Sequence, residues 1–248
     1  MVTTSDRIRD LISPNTLVGD QSGGYLDLLP PSPDNRPRAA QWAMNSPLVA
    51  AIYEGPWRQG GALLATGLTR NAELDRASTA LHLAGSDRLL DVACGPGNFT
   101  KFLGEQLGTE GLAVGLDFST PMLAKAIADN SGAQVGYIRG DARSLPFDDE
   151  SFDAACCFAA LYLVPEPFAV VDEMIRVLKP GGRFALMTSC FRGPTTVRRI
   201  SGVAGRLIGL RGFHRDELTS VLSDAGFHDI EQEVRGMSQF ISARKNIR

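Results

Sequence analysis

The sequence predicts a doubly wound α/β fold, a mostly parallel sheet with helices on both faces. Three observations carry that expectation. From Arg88 onward, short apolar runs alternate with helix-compatible stretches, the pattern of successive βαβ units. The first run, within Leu89-Leu90-Asp91-Val92-Ala93-Cys94-Gly95-Pro96-Gly97-Asn98-Phe99-Thr100, ends in a glycine turn that feeds a helix; open sheets bind nucleotide-like ligands at such a turn. Asp91, Asp117 and Asp141 stand at the ends of three successive runs, so a parallel sheet would gather them on one edge.

The chain has 248 residues, 44% hydrophobic and 21% charged, enough for one sizeable core. A net charge of -3 gives no global field for nucleic acid, so DNA is excluded as a partner. Cys94, Cys156, Cys157 and Cys190 form neither a CxxC nor a disulfide framework, which fits a reducing cytoplasm. Neither a signal peptide nor a membrane-length apolar run is present, so a soluble cytoplasmic protein is expected. Residues 1–38 carry no cysteine or histidine, so no metal of the usual structural kind is expected there.

Two units are expected, an N-terminal appendage over 1–70 and the α/β domain over 71–248. Residues 1–38 look poorly ordered, with Pro30-Pro31-Ser32-Pro33 as a stiff linker and one short strand within Gly24–Leu29. Residues 39–64 are helix-compatible, starting at Ser46-Pro47. They hold both tryptophans, Trp42 and Trp57. This stretch either packs as a plain appendage or forms a helical lid that brings Tyr53 and Arg58 to the ligand.

Asn71–Ala84 has helical apolar spacing, with His82 at its end. Strands then follow at Leu89–Ala93, Leu112–Phe118, Val135–Gly140, Phe152–Phe158 and Arg183–Ser189. Helices between them start at Phe99, where Asn98 can cap, at Pro121 and at Pro167. Lys179-Pro180-Gly181-Gly182 reads as a stop. A helix over Asp216–Ala225, capped by Gly226, precedes two strands, His228–Val234 and Ser238–Arg244, joined at Gly236. Cys156 and Cys157 are neighbours on a strand and should point to opposite faces.

The glycine turn selects the ligand chemistry. Thr100 stands where a dinucleotide fingerprint needs its third glycine. Asp91 would repel a pyrophosphate and attract a sulfonium or an ammonium. S-adenosylmethionine (SAM) carries both cations and no phosphate. Gly95 and Gly97 permit the sharp turn and a close ligand approach. Asp117 lies about 20 residues after the turn, the spacing at which an acid meets a ribose diol; the competing role is a helix cap, which Ser119 or Thr120 can fill without it. Asp141, in Gly140-Asp141-Ala142, can accept an adenine amine, with the Ala142 backbone reaching a ring nitrogen and Phe118 and Met122 as walls.

The motifs Leu90-Asp91-Val92-Ala93-Cys94-Gly95-Pro96-Gly97, Gly115-Leu116-Asp117-Phe118-Ser119, Gly140-Asp141-Ala142-Arg143-Ser144-Leu145-Pro146-Phe147, Ser151-Phe152-Asp153 and Arg176-Val177-Leu178-Lys179-Pro180-Gly181-Gly182 resemble class I SAM-dependent methyltransferases. The resemblance is to the group with the ubiquinone and menaquinone biosynthesis enzymes. It implies a Rossmann-like sheet of seven strands with the last antiparallel. It further implies that Asp117 binds the ribose, Asp141 and Ala142 the adenine, Ala93 to Gly97 the methionine end, and that Phe158 and Ala159 line the cofactor. Family members often carry a polar residue where this chain has Phe158, and a histidine where it has Tyr162. The flank Ser46–Val49 and Tyr53-Glu54-Gly55-Pro56-Trp57-Arg58 resembles plastid methyltransferases. In those and in a ribosomal RNA guanine methyltransferase group a zinc ribbon precedes the domain, and Gly24-Tyr25-Leu26-Asp27-Leu28 is similar to its end.

The expected activity is methyl transfer from SAM to a small, apolar metabolite, quinone-, polyketide- or lipid-like. The alternatives are an RNA methyltransferase with a degenerate ribbon and a SAM-binding protein without turnover. Tyr162 and His214 are the candidate bases, needed only if the acceptor must lose a proton. Tyr162 can equally be a pocket wall and His214 a surface residue before a helix. Six arginines and no acid lie in residues 191–215, interleaved with apolar residues. Residues 195–211 could therefore recruit an anionic or lipid-like acceptor, or touch a membrane surface, or simply present a solvated face over a packed one.

Overall fold

The structure is a computed structural model that describes residues 3–14, 16, 18–19, 23–29, 67–190 and 211–247. The expected helix over 39–64, with Tyr53 and Arg58, and residues 195–210 of the basic segment lie outside the described residues. Among the described residues, eight strands form one sheet: β1 (Leu26–Asp27), β2 (Arg88–Val92), β3 (Leu112–Asp117), β4 (Val135–Arg139), β5 (Phe152–Phe158), β6 (Leu178–Ser189), β7 (Phe227–Arg235) and β8 (Ser238–Lys245). Their spatial order is β1-β4-β3-β2-β5-β6-β8-β7, parallel except for β8, which runs antiparallel to both neighbours. β2 pairs with β3 on one side and β5 on the other. The strand order reverses between β2 and β5, and in open α/β sheets the ligand crevice lies at that reversal.

The alternation of side chains along each strand splits the core in two. Leu90, Val92, Val114, Leu116 and Ile138 face α1 (Thr4–Arg9), α5 (Pro167–Val177) and α6 (Arg215–Asp224). Leu89, Ala113, Tyr137 and Ala185 face α2 (Arg70–Leu81), α3 (Asn98–Gly104) and α4 (Thr120–Asn130). Cys157 belongs to the first layer and Cys156 to the second, as their adjacency on a strand requires. No helix among the described residues is long and apolar enough to cross a membrane.

Three expectations need correction. The sheet has eight strands rather than seven, because β1 adds to its edge in parallel with β4. The start of the chain is ordered where it is described: α1 carries a capping box between Thr3 and Asp6, and Ile8 is 1% exposed in the core. The short strand expected within Gly24–Leu29 is β1, but a six-residue helix is too short to show periodicity, and distant partners hold it. Arg7 donates to the carbonyls of Thr109, Glu110 and Gly111. Finally, the helix before the Lys-Pro-Gly-Gly run does stop, at Val177, but the run is also the bulged start of β6, which begins at Leu178 rather than at Arg183. Gly181 takes a φ of 75°, and pairing with β5 shifts register between Phe152 and Ala154.

Candidate functional site

The turn after β2 holds three left-handed residues in five: Ala93 (φ 55°), Gly95 (φ 55°) and Gly97 (φ 79°). Ala93 takes a conformation uncommon for a residue with a Cβ, and the turn is held from several sides. The Cys94 amide donates to the Leu116 carbonyl at 3.0 Å, and the Gly97 amide to the Cys94 carbonyl at 3.0 Å. Gly97, rather than Asn98, is the N-cap of α3. Asn98 accepts instead from Asn130 Nδ2 at 3.1 Å, and the same amide donates to the Pro96 carbonyl at 2.7 Å. Tyr137 donates to the Asn130 carbonyl at 2.8 Å. The two glycines therefore serve different ends. A Cβ on Gly95 would meet nothing among the described residues, whereas one on Gly97 would collide with the Tyr137 phenol. Ligand approach explains only the first.

The acids ending β2 and β3 lie on either side of this turn. Asp117 accepts the Gly95 amide on Oδ2 and the Ser119 amide on Oδ1, each at 2.8 Å. Ser119 itself caps α4, so the aspartate is not the helix cap. Although part of Asp117 reaches solvent, the surrounding protein pushes its pKa up, and the amide hydrogen bonds oppose that shift. Asp91 is 2% exposed and lies beneath the turn. Thr100 donates to its Oδ2 at 2.6 Å, and Cys156 Sγ is 3.7 Å from Oδ1. Burial raises its pKa to about 7 against the pull of those two donors. Burial also raises the thiols of Cys94 and Cys156.

After β4, the Gly140 amide donates to the Asp117 carbonyl at 3.1 Å, joining the second and third acids through backbone. A Cβ on Gly140 would meet Leu116. Asp141 is clasped by Arg143, and Ala142 is buried between them in the chain. Partial burial raises the Asp141 pKa, but the hydrogen bonds and charge of Arg143 outweigh that and hold it below the ordinary value. Phe118 carries the Arg139 guanidinium 5.8 Å above its ring, and Met122 is buried in the first turn of α4.

At the end of β5, Phe158 lies between Phe99 (4.5 Å) and Phe240 (6.0 Å, nearly parallel). Ala159 follows with a φ of 57°, its amide donating to the Met187 carbonyl at 2.8 Å. Tyr162 sits in a 3-10 turn, Leu161–Leu163, and its carbonyl accepts the Arg211 amide at 2.8 Å. The Arg211 guanidinium stands over Phe168 and Phe213. His214 is the N-cap of α6, its amide donating to Glu217 at 2.8 Å. The ends of β2 to β5 thus bring together the turn, Asp117, Asp141, Phe118, Phe158 and Ala159. Tyr162 and His214 share the neighbouring rim through Arg211 and Phe213, and no hydrogen bond among the described residues joins them.

Sequence reasoning missed the roles of Tyr137, Asn130, Arg139 and Arg143. Only Arg143 left a readable signal, since a residue two positions after an aspartate commonly donates its amide to it. The edge offers carboxylates and backbone amides to a ligand with hydroxyl, amine and cationic groups.

Comparison with known proteins agrees with this chemistry. Residues 90–186 match a methyltransferase domain family. A demethylmenaquinone methyltransferase of Geobacillus sp. is 34% identical over 170 residues, 58% of this chain and 72% of the relative. The chloroplastic methyltransferase At2g41040 of Arabidopsis thaliana is 31% identical over 210 residues, 81% of this chain and 58% of the relative. The chain spans about half the length of most of the curated relatives it matches. Phosphoethanolamine N-methyltransferase 2 of Haemonchus contortus, solved with SAM, superimposes with a TM-score of 0.68 at 16% identity, over 87% of this chain and 61% of that one. At that identity the likeness shows the fold alone.

Proposed function

Because this chain belongs to the class I SAM-dependent methyltransferases, we propose that it transfers the methyl group of SAM to a small, apolar metabolite by in-line displacement. The observation that carries this reading is the glycine turn bound to the acid that ends the neighbouring strand. The residues fit SAM. Among the described residues nothing stands where a Gly95 Cβ would be, and the carboxylates of Asp91 and Asp117 flank the turn. A pyrophosphate would be repelled there, and a sulfonium with an ammonium would not. Asp117 would hold the ribose diol, Asp141 the adenine amine, and the turn the methionine end.

Bound SAM supplies an electrophilic methyl group. The protein then has to align acceptor and methyl and exclude water. Phe99, Phe158 and Phe240 form an apolar wall suited to that exclusion. Tyr162, on the rim, meets the acceptor as base or wall, and His214 is the second candidate base. Among quinone-, polyketide- and lipid-like acceptors we favour a quinol, because the Geobacillus relative bears the name of a demethylmenaquinone methyltransferase.

The test is transfer of labelled methyl from SAM to a panel of naphthoquinols, phenolic polyketides and RNA. Label on a quinol is expected, and label on RNA alone would overturn the acceptor class. Deleting residues 195–210 should abolish turnover while S-adenosylhomocysteine still binds. Loss of both in a folded protein would sink that division of labour. A folded wild type that binds no S-adenosylhomocysteine would end the reading itself.

A further inference from the structure

The Asp141 carboxylate is held in one plane by a single neighbour. Its Oδ1 accepts the Arg143 amide at 2.9 Å and Arg143 Nε at 3.0 Å. Its Oδ2 accepts Nη2 at 2.7 Å and a longer bond from Nε at 3.2 Å. Nη1 of the same guanidinium reaches Glu166, at the start of α5, at 3.5 Å. A carboxylate oxygen has two lone pairs. Oδ1 has both engaged, whereas Oδ2 is bonded only on the side of the guanidinium. One acceptor direction remains, on one atom.

We propose that Arg143 is a positioning residue that aims this free side of Asp141 Oδ2 at the exocyclic amine of the cofactor's base, so that the site accepts a 6-aminopurine and rejects a 6-oxopurine. The inference rests on the placement of adenine at Asp141 made above. An amine donates to Oδ2, whereas the oxygen of a 6-oxopurine would face it with like charge. A carboxylate free to rotate reads this difference poorly. A fork-shaped guanidinium fixes the plane, and a lysine ammonium cannot. Arg143 also keeps Asp141 ionised, and hence an acceptor only.

The experiment is titration calorimetry of S-adenosylhomocysteine and S-inosylhomocysteine on wild type, Arg143→Ala and Arg143→Lys, with urea midpoints to confirm folding. Wild type should prefer the adenine compound. Arg143→Ala should weaken that compound about tenfold, as expected for a lost charge-assisted hydrogen bond, and leave the inosine compound unchanged. The preference then falls by the same factor, and Arg143→Lys should not restore it. Equal weakening of both compounds would make Arg143 merely structural and overturn the proposal. Tighter binding of the adenine compound by Arg143→Ala would overturn it in the other direction, making Arg143 a competitor for Asp141. An unchanged preference would reduce the pair to a surface ion pair. A wild type that binds neither compound would instead bring down the cofactor reading.

Discussion

Asp117 Oδ2 accepts the Gly95 amide at 2.8 Å, so the acid that ends β3 and the glycine that turns the chain after β2 act as one unit. The same carboxylate fixes the Ser119 amide at the start of α4. Asp117→Ala should therefore disturb the turn as well as the proposed ribose contact. We expect S-adenosylhomocysteine to bind more weakly by about 1–3 kcal/mol, the range for hydrogen bonds to a charged group. Asp117→Asn keeps one acceptor oxygen and should fall between. Calorimetry decides, and an Asp117→Ala protein with wild-type affinity would remove the ribose role.

The two glycines of the turn should fail differently. Gly95→Ala meets no neighbour among the described residues but sits at a φ of 55°, in the turn proposed to hold the methionine end of SAM. Its stability should fall by about 1–2 kcal/mol, the penalty of left-handed backbone, while ligand affinity falls markedly. Gly97→Ala adds a collision with Tyr137 to the same backbone penalty. A loss of about 2–4 kcal/mol is expected from strain and overpacking together. Urea denaturation beside calorimetry separates the two. Equal stability losses would mean that Tyr137 yields freely.

What the sequence revealed, and what it hid, divides along chemical lines. The strands from Leu89 to Phe158 were legible because buried parallel strands are short apolar runs, and Asp117 and Asp141 because acids end them. The use of Gly97 was not legible. It depends on Tyr137, forty positions later, which reaches under the turn only once β3 and β4 have paired. The same holds for α1, whose partners lie more than a hundred residues away, and for the pairing of β1 with β4, though the strand itself is expected within Gly24–Leu29. Asn98 shows the limit of local capping rules. Its side chain meets Asn130 on another helix, which leaves the cap to the backbone of Gly97.

Asp91 should make stability depend on pH. Burial raises its pKa in the folded protein from the ordinary aspartate value of 3.8 to about 7. An acid whose pKa rises on folding stabilises the protein fully below its unfolded pKa, and this contribution is lost as pH rises through the folded value. Unliganded wild type should therefore lose stability between about pH 4 and pH 7, on the order of a few kcal/mol. Asp91→Asn retains an acceptor for Thr100 and carries no charge. It should flatten this slope and be the more stable protein at pH 8, by thermal or urea unfolding. An unchanged slope would assign the pH dependence to other groups.

The N-terminal strand reaches Phe118, at the end proposed above to bind the base, through one arginine. Arg139 Nη1 donates to both oxygens of Asp27, at 3.2 and 2.9 Å, in register with the β1–β4 pairing. Its Nε donates to the Phe118 carbonyl at 3.2 Å, and its guanidinium covers the Phe118 ring at 5.8 Å. Without Asp27 the guanidinium loses its anchor, and Phe118 loses a fixed neighbour. Asp27→Ala should cost about 1–2 kcal/mol of stability, in the range for a partly buried charged pair. It should also weaken S-adenosylhomocysteine binding several-fold, an effect that stability alone does not produce. Ser13→Ala is the control. Ser13 Oγ donates to Asp148 at 2.6 Å, so it ties the same N-terminal stretch to the domain away from Phe118. That variant should lose stability and keep its affinity. If both variants bind as wild type does, β1 is a structural addition to the sheet edge, and Arg139 holds Phe118 without it.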